Sequence, residues 1–164
     1  MPLTARDLMS TQLRTIDPEM SLPDLERAII NDRLTGFPVV EDGRLVGIVG
    51  RTDIMRQLTV EQTLAEVMSD FYRDGFGDVA DQQATLTRIG EQVGGRMEHL
   101  RVKDVMVRNV LTVAPTQTLA EVARTLVDNN IHRVPVVDGD KLVGIITITD
   151  LVRLYVDGRI RVVE

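Results

Sequence analysis

Few side chains in this sequence are suited to catalysis or to metal binding. The 164 residues include two histidines, His99 and His132, and no cysteine. The sequence contains neither a Gly-x-Ser-x-Gly nucleophile motif nor a Walker phosphate-binding loop, and it offers no plausible cluster of metal ligands. The acidic residues that stand out are Asp53 and Asp150, each in a Thr-Asp pair that follows an apolar run. We therefore expect no enzyme, and look for a binding function.

Asp53 and Asp150 occupy equivalent places in an internal repeat. Residues 5–58 align without a gap onto residues 102–155, at a constant offset of 97 residues. The matched segments include PVV at 38–40 and 135–137, LVGI at 45–48 and 142–145, and TD at 52–53 and 149–150. A unit of roughly 50 residues is too small to bury a good core alone, so the copies should pack on each other about a pseudo-twofold axis. The two aspartates should then lie in different, related clefts, which excludes an acid–base pair.

Each copy predicts the same order of elements, β-α-β-β-α. After a short helix and an extended piece, an amphipathic helix begins at Ser21 or Thr118. In the second copy Glu121 follows Thr118 by three residues, which predicts a capping box. Each helix carries an apolar stripe at helical spacing. Its members are Leu22, Leu25, Ile29 and Ile30 in the first copy, and Leu119, Val122, Leu126 and Val127 in the second.

Two strands and a last helix complete each copy. The predicted strands are 37–40 and 45–49, then 134–137 and 142–146, and the last helix begins at Thr52 or Thr149. Asp-Gly between the apolar runs predicts a hairpin. The fold class is therefore α+β, with two repeats and a helical insertion between them.

The segment 59–101 has no counterpart in the alignment. Its first part keeps apolar residues at helical spacing, so the last helix of the first copy should continue or restart there. GFGD at 75–78 should break that helix, with Asp78 as a helix cap. Five later residues follow the 3-4-4-3 spacing of a short coiled-coil seam, namely Leu86, Ile89, Val93, Met97 and Leu100. The segment is either a helical linker that covers a flank or a hairpin for dimerisation or partner docking. We divide the chain into 1–58, 59–101 and 102–164.

The net charge of −6 argues against a general nucleic-acid or anionic-membrane binder, because no basic excess exists to displace phosphate counterions. One small anionic ligand held by a few cations remains compatible with that balance. The sequence shows no apolar run near the ~20 residues that span a bilayer, and no signal-peptide core at its N-terminus. The lack of cysteine fits a reducing compartment. We expect a soluble, cytoplasmic protein.

The ordered motifs of the second copy resemble a cystathionine-beta-synthase (CBS) domain. They are VKDVM at 102–106, TVAP at 112–115, HRVPVVD at 132–138 and LVGIITITD at 142–150. The first copy resembles another CBS domain in DLM at 7–9, FPVVE at 37–41 and LVGIVGRTD at 45–53. The chain is thus similar to a tandem CBS pair, or Bateman module. The resemblance implies two β-sheets at a pseudo-twofold interface, two clefts between them, and commonly a homodimer.

The resemblance also implies a regulatory ligand: AMP, ADP or ATP, and in some members S-adenosylmethionine. The ribose-binding pattern of the family is satisfied by GIITITD at 144–150, so that Thr147, Thr149 and Asp150 would bind ribose or a neighbouring phosphate. A carboxylate at a helix start can accept hydrogen bonds from both ribose hydroxyls, and the exposed amides there favour anions. The alternative is that Thr149 or Asp150 only caps the helix.

The first copy departs from the pattern, since GIVGRTD at 47–53 has Gly50 where Thr147 stands. Asp53 is retained but one hydroxyl is lost. We expect this cleft to be weaker, differently selective or empty. Arg51 would compensate if it turned toward a phosphate, and is otherwise a solvated surface charge.

His132 and Arg133 precede the PVV strand of the second copy. Such a pair resembles the regulatory gamma subunit of AMP-activated protein kinase, where it contacts nucleotide phosphates. The forked guanidinium suits phosphate oxygens, so we expect Arg133 to face the Asp53 cleft and His132 to be shared. The alternative is a polar strand edge. By resemblance, each cleft also receives residues from the opposite copy. These are Ser10, Thr11, Thr35 and Gly36 for the Asp150 cleft, and Val107, Arg108, Ile131 and His132 for the Asp53 cleft.

These observations lead us to expect a non-catalytic regulatory module. It would bind an adenine nucleotide and transmit the energy state to a separate effector protein or to its own oligomer. Two alternatives stay open: a ligand-free interaction or dimerisation scaffold with the CBS fold, and an S-adenosylmethionine sensor.

Overall fold

The computed structural model describes residues 3–75 and 82–159. Each copy contributes two helices, a β-hairpin and a further helix, and one additional helix lies between the copies. In chain order the elements are α1 (Ala5–Leu8), α2 (Leu22–Asp32), β1 (Gly36–Glu41), β2 (Arg44–Gly50), α3 (Arg51–Gly75), α4 (Gln82–His99), α5 (Val102–Val105), α6 (Leu119–Asp128), β3 (Arg133–Asp138), β4 (Lys141–Thr147) and α7 (Ile148–Val156). The mixed α and β class predicted from the sequence is confirmed.

The predicted first strand of each copy is reduced to a single bridge. Ile16 forms a parallel bridge with Val39, and Val113 forms the matching one with Val136. The extended piece is therefore present, and it contacts the first strand of its own hairpin at one point.

The chain forms two compact units, and each unit takes segments from both copies. Unit 1 comprises Met1–Thr15, Val40–Val46 and Asn109–Glu164, and unit 2 comprises Ile16–Val39 and Gly47–Arg108. The start of the first copy thus belongs to the unit that holds α7, and α5 belongs to the unit that holds the start of α3.

Unit 1 has an aliphatic core beneath α6 and the β3–β4 hairpin. Its buried residues are Ala5, Val113, Val122, Leu126, Val134, Val136 and Ile146. The predicted capping box is confirmed at the start of α6: the backbone N–H and the hydroxyl of Thr118 each donate to Glu121 at 2.8 Å. These two donors lower the pKa of the Glu121 carboxyl, because they stabilise its charged form.

Unit 2 packs α2, α3 and α4 together. Ser21 caps the N-terminus of α2, and its hydroxyl accepts from the Asp24 N–H at 3.2 Å. Helix α4 contacts both α2 and α3, and Arg96 forms an ion pair with Glu61 at 3.3 Å. The last helix of the first copy continues into the insertion, as one of the two predicted outcomes, and ends at Gly75. The Asp78 cap lies outside the described residues.

The two hairpins join in one sheet of order β1-β2-β4-β3. The junction of β2 with β4 lies in unit 1, where Arg44 pairs with Lys141, and Leu45 N–H donates to the Asp140 carbonyl at 3.1 Å. The two separate sheets that the resemblance implied are therefore wrong here, because the turn ends of the hairpins hydrogen-bond to each other. The Asp-Gly hairpin prediction is confirmed: Asp42 and Gly43 have φ values of 49° and 81°, as a type I′ turn requires.

Two members of the predicted apolar stripes are wrong. Ile30 and Val127, which are equivalent in the repeat, are 65% and 74% exposed. Each lies about 100° around the helix from the buried residue before it, so only the narrower stripe enters the core. None of the described helices combines the length and the apolarity that crossing a bilayer requires.

Candidate functional site

The equivalent aspartates lie where a strand passes directly into a helix. We call Thr147–Asp150, at the end of β4 and the start of α7, the C-terminal junction. We call Gly50–Asp53, at the end of β2 and the start of α3, the N-terminal junction. Each helix starts one residue earlier than predicted, at Ile148 and Arg51. The aspartate is therefore the third helical residue in both.

At the C-terminal junction, Asp150 closes a capping box with Thr147. Its Oδ2 accepts the Thr147 N–H at 2.8 Å and the Thr147 hydroxyl at 2.7 Å, while the Asp150 N–H donates to the Thr147 Oγ1 at 3.3 Å. The capping alternative is thus realised for one carboxylate oxygen. Within residues 3–75 and 82–159, the other oxygen, Oδ1, accepts no hydrogen bond. Asp150 is half-buried and Thr149 is exposed.

Two main-chain segments border the C-terminal junction within unit 1. The Ile148 N–H donates to the His132 carbonyl at 3.0 Å. Ser10 and Ile145 exchange backbone hydrogen bonds of 2.9 and 3.0 Å, which places the start of the first copy beside the strand that ends at Thr147. The side chains of Ser10, Thr11 and His132 are exposed. The structure thus brings the His132 carbonyl to the start of α7 and Ser10 to the side of β4.

The Asp53 carboxylate of the N-terminal junction is engaged at both oxygens. Its Oδ2 accepts the Gly50 N–H at 2.9 Å, and its Oδ1 lies 3.1 Å from the Arg56 Nη1. Asp53 is 8% exposed, and among the residues that the structure describes it is the only charged one that is buried. The Arg56 side chain is 60% exposed, so the guanidinium covers the carboxylate from the solvent side.

Gly50 allows the ends of β1 and β2 to approach closely. A Cβ at Gly50 would lie 2.5 Å from the Thr35 carbonyl oxygen and 3.1 Å from the Gly36 Cα. The same carbonyl accepts the Arg51 N–H at 3.1 Å. The interpretation of Gly50 as a lost hydroxyl is therefore incomplete, since the backbone of Thr35 occupies the space of a side chain. The equivalent pair in β3–β4 is Arg133 opposite Thr147, and both carry side chains.

The start of the second copy borders the N-terminal junction within unit 2. Val107 and Ile48 exchange two backbone hydrogen bonds of 2.9 Å, which repeats the Ser10–Ile145 arrangement. Arg108 is exposed and donates from its Nη2 to the Lys103 carbonyl at 2.8 Å. Arg51, also exposed, is the first residue of α3.

The predicted site residues therefore divide between the units. Unit 1 holds Ser10, Thr11, His132, Arg133, Thr147, Thr149 and Asp150, and unit 2 holds Thr35, Gly36, Arg51, Asp53 and Arg108. The assignment of Thr35 and Gly36 to the Asp150 cleft, and of Arg133 and Arg108 to the Asp53 cleft, stays a prediction.

Sequence reasoning missed Arg56. An acidic and a basic residue three positions apart on a helix are neighbours on its surface, so the spacing from Asp53 to Arg56 was a usable signal. Across the part of the chain that the structure describes, no group of three or more His, Cys, Asp or Glu residues is placed to hold a metal ion.

The match to a known protein family covers both copies of the repeat. The family model described as CBS domain matches residues 5–60 and 102–157. MJ1426, an uncharacterized protein of Methanocaldococcus jannaschii, is 28% identical over 153 residues, which cover 92% of this chain and 90% of that protein. The chloroplastic CBS domain-containing protein CBSX2 of Arabidopsis thaliana is 29% identical over 154 residues, covering 92% of this chain and 62% of that protein.

Solved structures share the fold. The crystal structure of CBSX2 in complex with AMP matches with a TM-score of 0.68 and 24% identity, covering 96% of this chain and 98% of that one. The CBS domain pair of MJ0100 in complex with 5′-methylthioadenosine and S-adenosyl-L-methionine matches with a TM-score of 0.62 and 22% identity, covering 96% and 99%. The arrangement of helices and hairpins is thus common to these proteins and this chain.

Proposed function

Since this chain belongs to the CBS-domain family, we propose that it is a non-catalytic regulatory module that binds an adenine nucleotide at the C-terminal junction. The ligand is AMP, ADP or ATP, and its occupancy transmits the energy state to a separate effector protein. We place this activity in the cytoplasm, on the absence of cysteine.

One observation carries the proposal: the Asp150 carboxylate is fixed in place but has a spare oxygen. The two hydrogen bonds from Thr147 hold Oδ2, and within the described residues Oδ1 accepts none. A half-buried anion with an unused acceptor suits the two hydroxyls of a ribose, which are donors. Because Thr147 already orients the carboxylate, the ligand does not bear the entropic cost of ordering it.

The phosphate end of the ligand finds several donors in unit 1. The first turn of α7 presents backbone N–H groups, including that of exposed Thr149, and helix N-termini favour anions. The His132 side chain is exposed next to this turn, because its carbonyl accepts the Ile148 N–H. We assign these amides and His132 to the phosphates of a ligand at the C-terminal junction, while Arg133 keeps its predicted place in the Asp53 cleft.

The ligands named in the related structures agree with this choice. CBSX2 was crystallised with AMP, and MJ0100 with 5′-methylthioadenosine and S-adenosyl-L-methionine. All three ligands contain adenine on a ribose with free 2′ and 3′ hydroxyls, so a carboxylate that binds these hydroxyls suits each of them. The hydrogen-bond donors assigned to the phosphates favour a nucleotide over the positively charged sulfonium ligand for this chain.

A thermal-shift titration tests the proposal. At 100 times its dissociation constant a ligand adds about 2.7 kcal/mol, which for a chain of this size raises the melting temperature by about 5–10 °C. We expect that shift with at least one of AMP, ADP and ATP, a smaller one with S-adenosylmethionine, and a clearly reduced shift in Asp150→Ala. Asp157→Ala, at the exposed opposite end of α7, is the matched control. A folded protein that shifts with none of the four ligands contradicts the proposal.

We further propose a homodimer formed through α7. Helix α7 exposes Ile148, Val152, Tyr155 and Val156, whose spacing places them along one side. A second copy suits this surface, because an apolar side can pack against its own counterpart across a twofold axis, and the resemblance to tandem CBS pairs implies a homodimer. We expect Val152→Glu to be monomeric by sedimentation; an unchanged oligomeric state in that variant contradicts this interface.

A further inference from the structure

We propose that Arg56 makes the N-terminal junction selective for adenine nucleotides that carry a phosphate group, against phosphate-free adenosine. This inference rests on the nucleotide-binding function proposed above. It extends that function to the second junction and names the residue that sets its ligand class.

The two aspartates receive different hydrogen-bond donors. Position 147 supplies Asp150 with two donors, a backbone N–H and a hydroxyl. Position 50 supplies Asp53 with the backbone N–H alone, since glycine has no hydroxyl. The Arg56 guanidinium provides the missing donor from one turn further along α3, at 3.1 Å.

The equivalent arginine of the second copy is not used in this way. Arg153 follows Asp150 by three residues, as Arg56 follows Asp53. Arg56 forms an ion pair with Asp53. In the described part of the chain, however, Arg153 forms none with Asp150. The cation is therefore a specific feature of the junction that lacks the threonine.

A ribose that binds Asp53 must compete with this cation. Both carboxylate oxygens are engaged, and the Asp53 side chain is only 10% exposed. Adenosine would have to separate the guanidinium from a buried carboxylate and would leave it no anionic partner, which is unfavourable for a buried charge.

A phosphate changes this balance. Phosphate oxygens accept charge-assisted, bidentate hydrogen bonds from a guanidinium, and Arg56 is 60% exposed on a flexible side chain. A nucleotide can therefore give Arg56 a new anionic partner while its ribose takes the freed Asp53 oxygen. Arg56 therefore weakens the binding of adenosine and strengthens the binding of a nucleotide.

The test measures AMP and adenosine affinities by calorimetry in the Asp150→Ala background, where the C-terminal junction is disabled. We expect the further substitution Arg56→Gln to weaken AMP about tenfold and to tighten adenosine about threefold, as expected for a lost charge-assisted bond and a removed competitor. Arg56→Lys keeps the charge but not the fork, and should recover most of the AMP affinity.

The matched control is Arg153→Gln in an Asp53→Asn background, where asparagine can still accept the Gly50 N–H. Adenosine binding at the C-terminal junction should be unchanged, because Asp150 holds no such cation among the described residues. A change in Arg56→Gln that moves AMP and adenosine in the same direction would show a merely structural arginine and overturn the inference.

The remaining outcomes separate this inference from the proposed function. If the wild-type chain binds AMP and Asp150→Ala binds neither ligand, the N-terminal junction is no nucleotide site; the inference fails and the function at Asp150 stands. Should the folded wild-type chain bind no adenine nucleotide, both fail together.

Discussion

The junction that ends at Asp53 and the one that ends at Asp150 start from similar sequences, GIVGRTD and GIITITD, yet the structure uses their carboxylates differently. Asp53 is 8% exposed and both of its oxygens are engaged. Asp150 is half-buried, and within the described residues only its Oδ2 accepts hydrogen bonds.

This difference shows that a retained motif residue need not be available to a ligand. The position three residues before each aspartate decides the outcome. A threonine there orients the carboxylate with a hydroxyl, whereas Gly50 admits the Thr35 carbonyl and leaves the carboxylate to Arg56.

The largest expected effect comes from giving the first copy the threonine of the second. In Gly50→Thr the new Cβ would meet the Thr35 carbonyl at 2.5 Å, and overpacking costs typically about 1–3 kcal/mol, with the upper end expected where the obstacle is backbone. Thr147→Gly removes a hydroxyl donor but keeps a residue that caps helices acceptably, so it should cost less than about 1 kcal/mol. Urea denaturation of both variants measures the difference.

Gly90→Ala is the control for that prediction, because a Cβ at this α4 position meets nothing within 4 Å. We expect it to be neutral or to stabilise the chain by up to about 1 kcal/mol. Gly50→Thr with wild-type stability would mean that Gly50 is merely a missing hydroxyl after all.

A middle-sized effect is expected from deleting each carboxylate in the absence of ligand. Asp53→Ala leaves the buried Gly50 N–H without its acceptor and separates Arg56 from its partner, which should cost about 2 kcal/mol. Asp150→Ala should cost about 1 kcal/mol, because the Thr147 hydroxyl can still accept the N–H of residue 150. If chemical denaturation gave the same loss of unfolding free energy for both variants, Asp53 could not be called structural and Asp150 available to a ligand.

The smallest expected effect is a pH dependence that the two copies share. Asp24 and Glu121 are equivalent in the repeat, and the pKa of each carboxyl is lowered, chiefly by Ser21 at Asp24 and by Thr118 at Glu121. Their stabilising contribution is present above the ordinary values of 3.8 and 4.5, and is lost as the pH falls through the lowered pKa.

Asp24→Asn and Glu121→Gln remove these titrations. We expect each variant to lose less stability than the wild type between pH 5 and pH 3, measured by denaturant midpoints. A steeper loss in either variant would mean that the sign of the pKa change at that cap is wrong.

Much of the fold followed from the sequence because it rests on local patterns, most of which occur in both copies of the repeat. Sequence patterns report well on contacts between neighbours in the chain. Such contacts form the Asp-Gly turns and the Thr118 capping box, and they extend α3 from the first copy into the insertion. Ile30 and Val127 were misplaced because a run of two apolar residues does not tell which one faces the core.

The candidate site was predictable only in its residue types. The sequence indicates Thr147 and Asp150 through their spacing, but the approach of the Thr35 carbonyl to Gly50 depends on how β1 and β2 end. The ion pair of Arg56 with Asp53, which Arg153 does not form with Asp150 among the described residues, likewise depends on side-chain placement. These are tertiary contacts, on which the spacing of residues carries no direct information.

The most direct test of the central claim combines a change in the ligand with a substitution in the protein. AMP and 2′,3′-dideoxy-AMP would be titrated against Asp53→Asn, in which only the C-terminal junction keeps its carboxylate, and against the double variant that also carries Asp150→Ala. If Asp150 binds the ribose hydroxyls, removing them weakens binding to Asp53→Asn by roughly 10- to 100-fold, as expected for hydrogen bonds to a charged group, and changes binding to the double variant little. An Asp150→Ala substitution that weakens both ligands by the same factor would contradict the account.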